Sequence, residues 1–241
     1  MKSVFKKVAL AAALVGAGFS ASATPIVGIA NLSFGLVAIS LGEIDWNNGI
    51  PGANYNPGNT GFVTRGDFFT SSVANTGSFA GVSFNGLTMG SVQDMSQNPA
   101  DPNYVPIGPN NIPNFLKFAA QPGWLFTANF LAPGDQGPFT LAQVGNNVSA
   151  TLSLNGIACD TGGDNVCNAS DDKTIWTGIF SAQYTNQTIG SLLTIVQSGG
   201  ELQNNTWSAT IEARAIPEPG SIALLGLGLV GLAAVRRRKS V

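Results

Sequence analysis

The sequence predicts an all-β domain, a β-sandwich or jelly-roll-like fold with one short helix, set between an N-terminal export segment and a C-terminal apolar tail. Three observations predict the fold. Short runs alternate apolar and polar residues with period two. The clearest is Val148 to Leu154, with Val148, Ala150, Leu152 and Leu154 on one face and Ser149, Thr151 and Ser153 on the other. Turn residues such as Pro51-Gly52, Pro57-Gly58 and Pro133-Gly134-Asp135 separate the runs. One segment departs from this pattern: Ile189, Leu192, Leu193 and Val196 recur at helical spacing. Short strands at such spacing favour two packed antiparallel sheets, and no internal repeat points to a solenoid or propeller.

In chain order, Lys2, Lys6 and Lys7 form a positive start, Val8 to Val15 a compact apolar run, and Ala21-Ser22-Ala23 a small-x-small cleavage pattern. Residues 1–23 therefore read as a signal peptide cut after Ala23. The exported domain spans 24–214. Asn31 to Trp46 is an extended run with Leu32, Phe34 and Leu36 on one face and Val37, Ile39 and Leu41 on the other, a strand buried on both sides. Residues 47–61 read as a loop, and Phe62 to Thr70, Gly77 to Phe84 and Leu87 to Met95 as short strands. Gln97 to Pro113, rich in proline and asparagine, reads as a long surface loop. Strands follow at Asn114 to Ala119, Trp124 to Leu131, Phe139 to Val144, Val148 to Leu154, Thr174 to Tyr184 and Trp207 to Ala213. The helix lies between the last two, with Thr188 or Ser191 as its cap and Gly199-Gly200 as its stop.

The tail, 215–241, has three parts: Pro217-Glu218-Pro219, an uncharged apolar stretch to Val235, and the basic end Arg236, Arg237, Arg238 and Lys239. Seventeen residues from Pro219 to Val235 make a helix about 25 Å long, against a hydrocarbon core of about 30 Å. Bilayer thinning or snorkelling by the basic end closes the difference, giving a single transmembrane helix. Its apolar residues run all round rather than along one face, unlike a core helix, and the cations stay cytoplasmic by the positive-inside rule. This order of parts resembles the PEP-CTERM sorting signal. The resemblance implies a Gram-negative bacterium and an exported protein held transiently in the inner membrane. An exosortase-type enzyme then cuts it near Pro217, Glu218 and Pro219, which are recognised rather than catalytic. It also implies a cell-surface or extracellular destination and an association with exopolysaccharide, biofilm or floc.

Composition narrows the activity. The whole chain carries a net charge of −2. Residues 24–216 hold four bases against twelve acids, a net charge of −8. That balance argues against a nucleic-acid partner. Histidine is absent, which excludes Ser-His-Asp and Cys-His catalysis and imidazole metal sites. Any catalysis would run on carboxylates. Glu43 and Asp45 flank Ile44 on a strand, so both side chains point one way with Cα atoms about 7 Å apart, near the spacing of glycosidase acid pairs. Acids at a strand end are, alternatively, simply solvated.

Cys159 and Cys167 share one short loop, where an exported protein forms a disulfide. Asp160, Asp164, Asp171 and Asp172 accompany them. Calcium needs six to eight oxygen ligands, and this spacing fits no calcium-loop rule, so a solvated acidic turn competes with a metal site. No cofactor is assigned. Trp176, Phe180 and Tyr184 line one face of a strand, as a sugar-stacking strip or as core. Trp46, Tyr55 and Tyr104, in or beside loops, are further aromatic candidates. The expected function is that of a non-enzymatic exported surface or matrix protein; a carbohydrate-binding module and a carboxylate-based glycoside hydrolase are the alternatives.

Overall fold

The computed structural model describes residues 24–47, 65–70, 74–82, 90–164, 166–168 and 171–216. The predicted signal peptide with Ala21 and Ala23, Tyr55 and its flanking turns, and everything from Pro217 onward, including the predicted transmembrane helix and basic end, lie outside them. Among the described residues no helix is long and apolar enough to cross a membrane.

The strands are β1 Gly28–Ile39, β2 Glu43–Asn47, β3 Arg65–Thr70, β4 Gly90–Gln93, β5 Met95–Ser96, β6 Gly108–Phe118, β7 Gln121–Leu131, β8 Thr140–Val144, β9 Asn147–Asp160, β10 Thr174–Tyr184 and β11 Leu202–Ala215. Helix α1 spans Ile189–Gln197, and a one-turn 3-10 helix spans Gly77–Gly81. The expected sandwich is replaced by a single closed sheet. β1, β3, β4, β6, β7, β9, β10 and β11 neighbour one another in chain order, all antiparallel, and β11 returns to pair with β1 from Gly28↔Ala213 to Ile39↔Leu202. β2 succeeds β3 along the free edge of β1 and in turn pairs β5. β8 succeeds β7 along β9. Closure pairs edges that a sandwich leaves open.

Large rings fill the interior. Trp46, Phe68, Phe115, Phe118, Phe126, Trp176, Phe180 and Trp207 are buried, and their contacts run across the barrel. Phe68 meets Phe118 at 5.4 Å, Phe118 meets Phe126 at 5.3 Å, Phe126 meets Trp176 at 6.0 Å, and Trp46 meets Trp207 at 4.7 Å between centroids. An eight-stranded barrel is just wide enough for such side chains to fill it, so this interior is a core rather than a lumen. Room for the rings comes from residues that lack side chains. A Cβ on Gly90 would strike the carbonyl of Lys117 and the ring of Phe68.

Three local expectations are corrected. The run from Asn31 to Trp46 is two strands joined at residues 40–42; β2 is buried on both faces, with Ile44 and Trp46 on one and Asp45 on the other, but β1 buries one face at a time. In β1, Ala30 and Leu32 are buried in the first half, Val37 and Ile39 in the second. Gly35, with φ +117°, lies in a register break between Ser33 and Leu36 that switches the inward face. Within Gly77 to Phe84, the described part forms the 3-10 turn, which drives Phe79 into the core. The second half of the expected 97–113 loop is strand: β6 begins at Gly108, its prolines tolerated beside the register breaks of the β6–β7 ladder.

The registers define two ends. The tail end gathers Gly28, Thr70, Gly90, Phe118, Gln121, Asp160, Thr174 and Ala215; the helix end gathers Ile39, Arg65, Gln93, Leu131, Asn147, Tyr184 and Leu202. At the helix end α1 joins β10 to β11. Thr188 and Ser191 form a reciprocal capping box, and Gly199 (φ +81°) follows the last turn. The backbone N–H of Ile189 donates to Gln143 Oε1 (3.2 Å), tying the helix to β8. Leu192 and Val196 pack on the barrel.

Candidate functional site

At the tail end, β3, β4 and β6 place Asp67, Ser91 and Lys117 in one cross-strand row. Phe68, Gly90 and Phe118 form the adjacent row, and Phe68 and Phe118 fill the core. The outer row, Asn114 and the β6–β7 turn line a groove of about 570 Å³ with Gln121 and Trp124, a volume typical of small-molecule sites. Arg65, two residues before Asp67 on β3 and outside the groove lining, braces one of its strands. Its Nε donates to Ser91 Oγ (2.8 Å), and its terminal nitrogen donates to the carbonyls of Ser91 (3.0 Å) and Phe115 (2.9 Å). Burial lowers the Arg65 pKa to about 10, partly countered by Asp94, so the side chain stays charged at neutral pH.

Trp124 forms a rigid wall, braced edge-on against Phe79 (5.4 Å) and Phe118 (5.6 Å). Asn114, with φ +56°, sits in the left-handed region that asparagine tolerates better than most residues. Neither Asp67 nor Lys117 forms an ion pair with another described residue. The groove thus offers an indole edge, two amides, a hydroxyl and one charge of each sign, a set that hydrogen-bonds a polar ligand with little net charge. It offers no nucleophile and base in contact.

The sequence-predicted residues lie elsewhere. Trp176, Phe180 and Tyr184 point inward and are core, as is Trp46, so the stacking-strip reading of the three is set aside. Trp176 Nε1 donates to the Thr127 carbonyl at 3.0 Å. Tyr104 is half-buried and bridges to Ser96. Glu43 and Asp45 share the face of β2 opposite Ile44 and Trp46, as alternation requires, but neither lines the groove. Asp45 is 5% exposed, and its Oδ1 accepts no hydrogen bond from a described residue. Burial, then the charge of Glu201, raises its pKa to about 6. Burial, followed by Asp101, Asp45 and Glu201, also raises that of Glu43.

Cys159 and Cys167 stand at disulfide distance, with Cα atoms 6.0 Å apart. The carboxylates around them serve the loop itself. Asp160 accepts from the N–H of Gly162, Asp164 from Val166 and Asn168, and Asp171 from Asn168. Among the described residues no three acidic or thiol side chains gather as a metal site.

Sequence reasoning passed over Asp67, Ser91, Asn114, Lys117 and Trp124 as a group, because they come from four strands whose register no local pattern reveals. One available signal was Lys117, one of only four bases between residues 24 and 216.

Residues 215–239 match the PEP-CTERM protein-sorting motif. The segment bears the mark of an exosortase substrate, and it implies export with transient anchoring in the membrane through the tail. Pro217, Glu218, Pro219 and the cations from Arg236 to Lys239 fall inside the match. No curated protein and no solved structure matches the chain.

Proposed function

We propose that this sorting-motif protein is a non-enzymatic component of the cell surface or extracellular matrix of a Gram-negative bacterium, and that it associates with exopolysaccharide through the tail-end groove. The sorting motif carries the reading, since it marks the chain for an exosortase-type enzyme and a destination outside the cell. The groove supports it with polar groups around a fixed indole, a combination suited to a hydroxyl-rich, nearly uncharged chain. A carboxylate-based hydrolase is the weaker reading, because Glu43 and Asp45 stand on one strand away from the groove.

The test is retention on purified extracellular polysaccharide. Asp67→Ala combined with Lys117→Ala is expected to weaken retention tenfold or more, with the melting temperature held within about 2 °C, since Lys117 is exposed, Asp67 half-buried and neither belongs to the core. A wild-type protein that is not retained, or a double variant retained as well as wild type, overturns the groove assignment. Release of reducing sugar that is abolished by Asp45→Asn would establish the hydrolase instead.

A further inference from the structure

The loop that follows β9 is fastened to the start of β7, where Gln121, Pro122 and Trp124 line the groove. Gly123 lies between those lining residues. Its carbonyl accepts both the N–H (2.9 Å) and the hydroxyl (2.8 Å) of Thr161, a buried side chain. A Cβ on Gly123 would stand 3.0 Å from Asp160 Oδ1 and 3.4 Å from the Gly163 nitrogen, so the loop packs directly on this segment. The β7–β9 register continues the contact, pairing Trp124 with Asp160 and Leu125 with Cys159.

Short-range bonds shape the loop. Asp160 Oδ1 accepts the Gly162 N–H (3.1 Å), Thr161 Oγ1 accepts the Gly163 N–H (3.3 Å), and the Thr161 carbonyl accepts the Asp164 N–H (3.3 Å). Gly162 and Gly163 take φ +60° and +108°. Two successive glycines give an unfastened loop many competing conformations. The bond from Cys167 to Cys159, with Cα atoms 6.0 Å apart, returns the far end of the loop to a fully buried rung of β9. Closing the loop in this way removes most of those alternatives.

Resting on the groove assignment, we infer that the Cys159–Cys167 disulfide preorganises the groove: it holds Thr161 on the Gly123 carbonyl and thereby fixes the segment that presents Gln121 and Trp124 to the saccharide. Cys159, Cys167 and Thr161 are positioning residues, and none of them lines the groove. The bond forms by thiol–disulfide exchange, in which the two cysteine thiols lose their protons and join while a donor disulfide is reduced to two thiols. The reducing interior of the cell keeps such thiols apart, and the oxidising compartment beyond the inner membrane joins them. The site is therefore completed by the export that the sorting motif implies.

Retention of the full chain, in mild detergent, on purified extracellular polysaccharide tests this. The oxidised wild type is compared with wild type reduced by a water-soluble phosphine, which yields two thiols and the phosphine oxide. Two variants accompany them: Cys159→Ala with Cys167→Ala, and Thr161→Val, which keeps the disulfide and loses the hydroxyl bond. Reduction and the double substitution are each expected to weaken retention at least about tenfold, as a preorganised site is lost. Thr161→Val is expected to weaken it about fivefold, the worth of one hydrogen bond. Amide exchange is expected to quicken at Gln121, Gly123 and Trp124 in the reduced chain while the β10–β11 ladder stays protected, a local change that a merely global loss of stability would not give. Equal retention of the oxidised and reduced chains overturns the inference and leaves the groove assignment standing. Should loss of the disulfide unfold the barrel, Thr161→Val decides, and retention equal to wild type overturns the inference. An oxidised wild type that is not retained overturns the groove assignment and this inference with it.

Discussion

Asp45 shows how one residue sets a pH dependence for the fold. Its carboxyl lies on the covered side of β2, with one oxygen that no described residue hydrogen-bonds, and burial followed by the charge of Glu201 pushes its pKa up from the ordinary 3.8 to about 6. The folded state therefore binds a proton more tightly than the unfolded chain does. The associated stabilisation is complete below about pH 4 and is lost as pH rises through about 6. Glu43 shifts in the same direction. The protein is expected to be more stable at pH 4.5 than at 7.5 with respect to these two groups. Asp45→Asn is expected to raise stability at pH 7.5 by about 1–2 kcal/mol, after allowance for solvent screening, and to flatten the profile between pH 4 and 6. Urea denaturation at the two pH values measures it, and a variant that is less stable at 7.5 contradicts the burial argument.

At the scale of elements, α1 is a nine-residue helix whose stability comes from its ends and its docking. Thr188 Oγ1 accepts the Ser191 N–H at 3.2 Å, and Ser191 Oγ accepts the Thr188 N–H at 3.1 Å. Thr188→Ala removes one of the two and is expected to cost about 1 kcal/mol. Amide exchange is expected to quicken over α1 while the β9–β10–β11 ladders stay protected. Equal loss of protection in those ladders would mean that the helix is part of the cooperative barrel unit rather than an attachment to it. The cysteine loop is a second local brace. Closing nine residues is worth about 2.6 kcal/mol on the chain-entropy account, and Cys159 is itself a rung of β9 opposite Leu125.

At the scale of the molecule, the decisive pairing joins the two ends of the described chain. β1 meets β11 along a seam that places Asn31 Oδ1 3.2 Å from Thr210 Oγ1, 179 residues away in sequence. Such separations are expected to slow folding, because loop-closure entropy is lost before the seam forms, and they make the seam a single point of failure. Ile211, fully buried opposite Ala30, lies in the middle of it. Ile211→Asp buries an unpaired charge and is expected to cost more than about 3 kcal/mol. Loss of tryptophan fluorescence is expected to coincide with loss of β-signal, because the buried indoles of Trp46, Trp176 and Trp207 share the one interior. Separate transitions would indicate two packed sheets.

Local pattern was enough to read most strands from the residues: Val148 to Leu154, Thr174 to Tyr184 and Trp207 to Ala213 all fall inside observed strands, and Thr188 caps the helix as its spacing suggested. The tail was equally legible, since a sorting signal is read by an enzyme as linear chemistry and Pro217-Glu218-Pro219 needs no fold to be recognised. Closure was not legible. A strand with one apolar face satisfies a sandwich and a barrel equally well, and the choice depends on whether β11 finds β1, a contact that leaves no local mark. The bulge at Gly35 was hidden for the same reason: two apolar faces in sequence become one in space only when a register break turns the chain. The groove followed from that closure, because Asp67, Ser91 and Lys117 become neighbours only through the registers of β3, β4 and β6. Sequence alone determined the β-rich composition, the one helix and the sorting address. Tertiary structure alone decided the closed barrel, the burial of Trp176, Phe180 and Tyr184, and the assembly of the groove from four strands, because each depends on pairings between residues far apart in the chain.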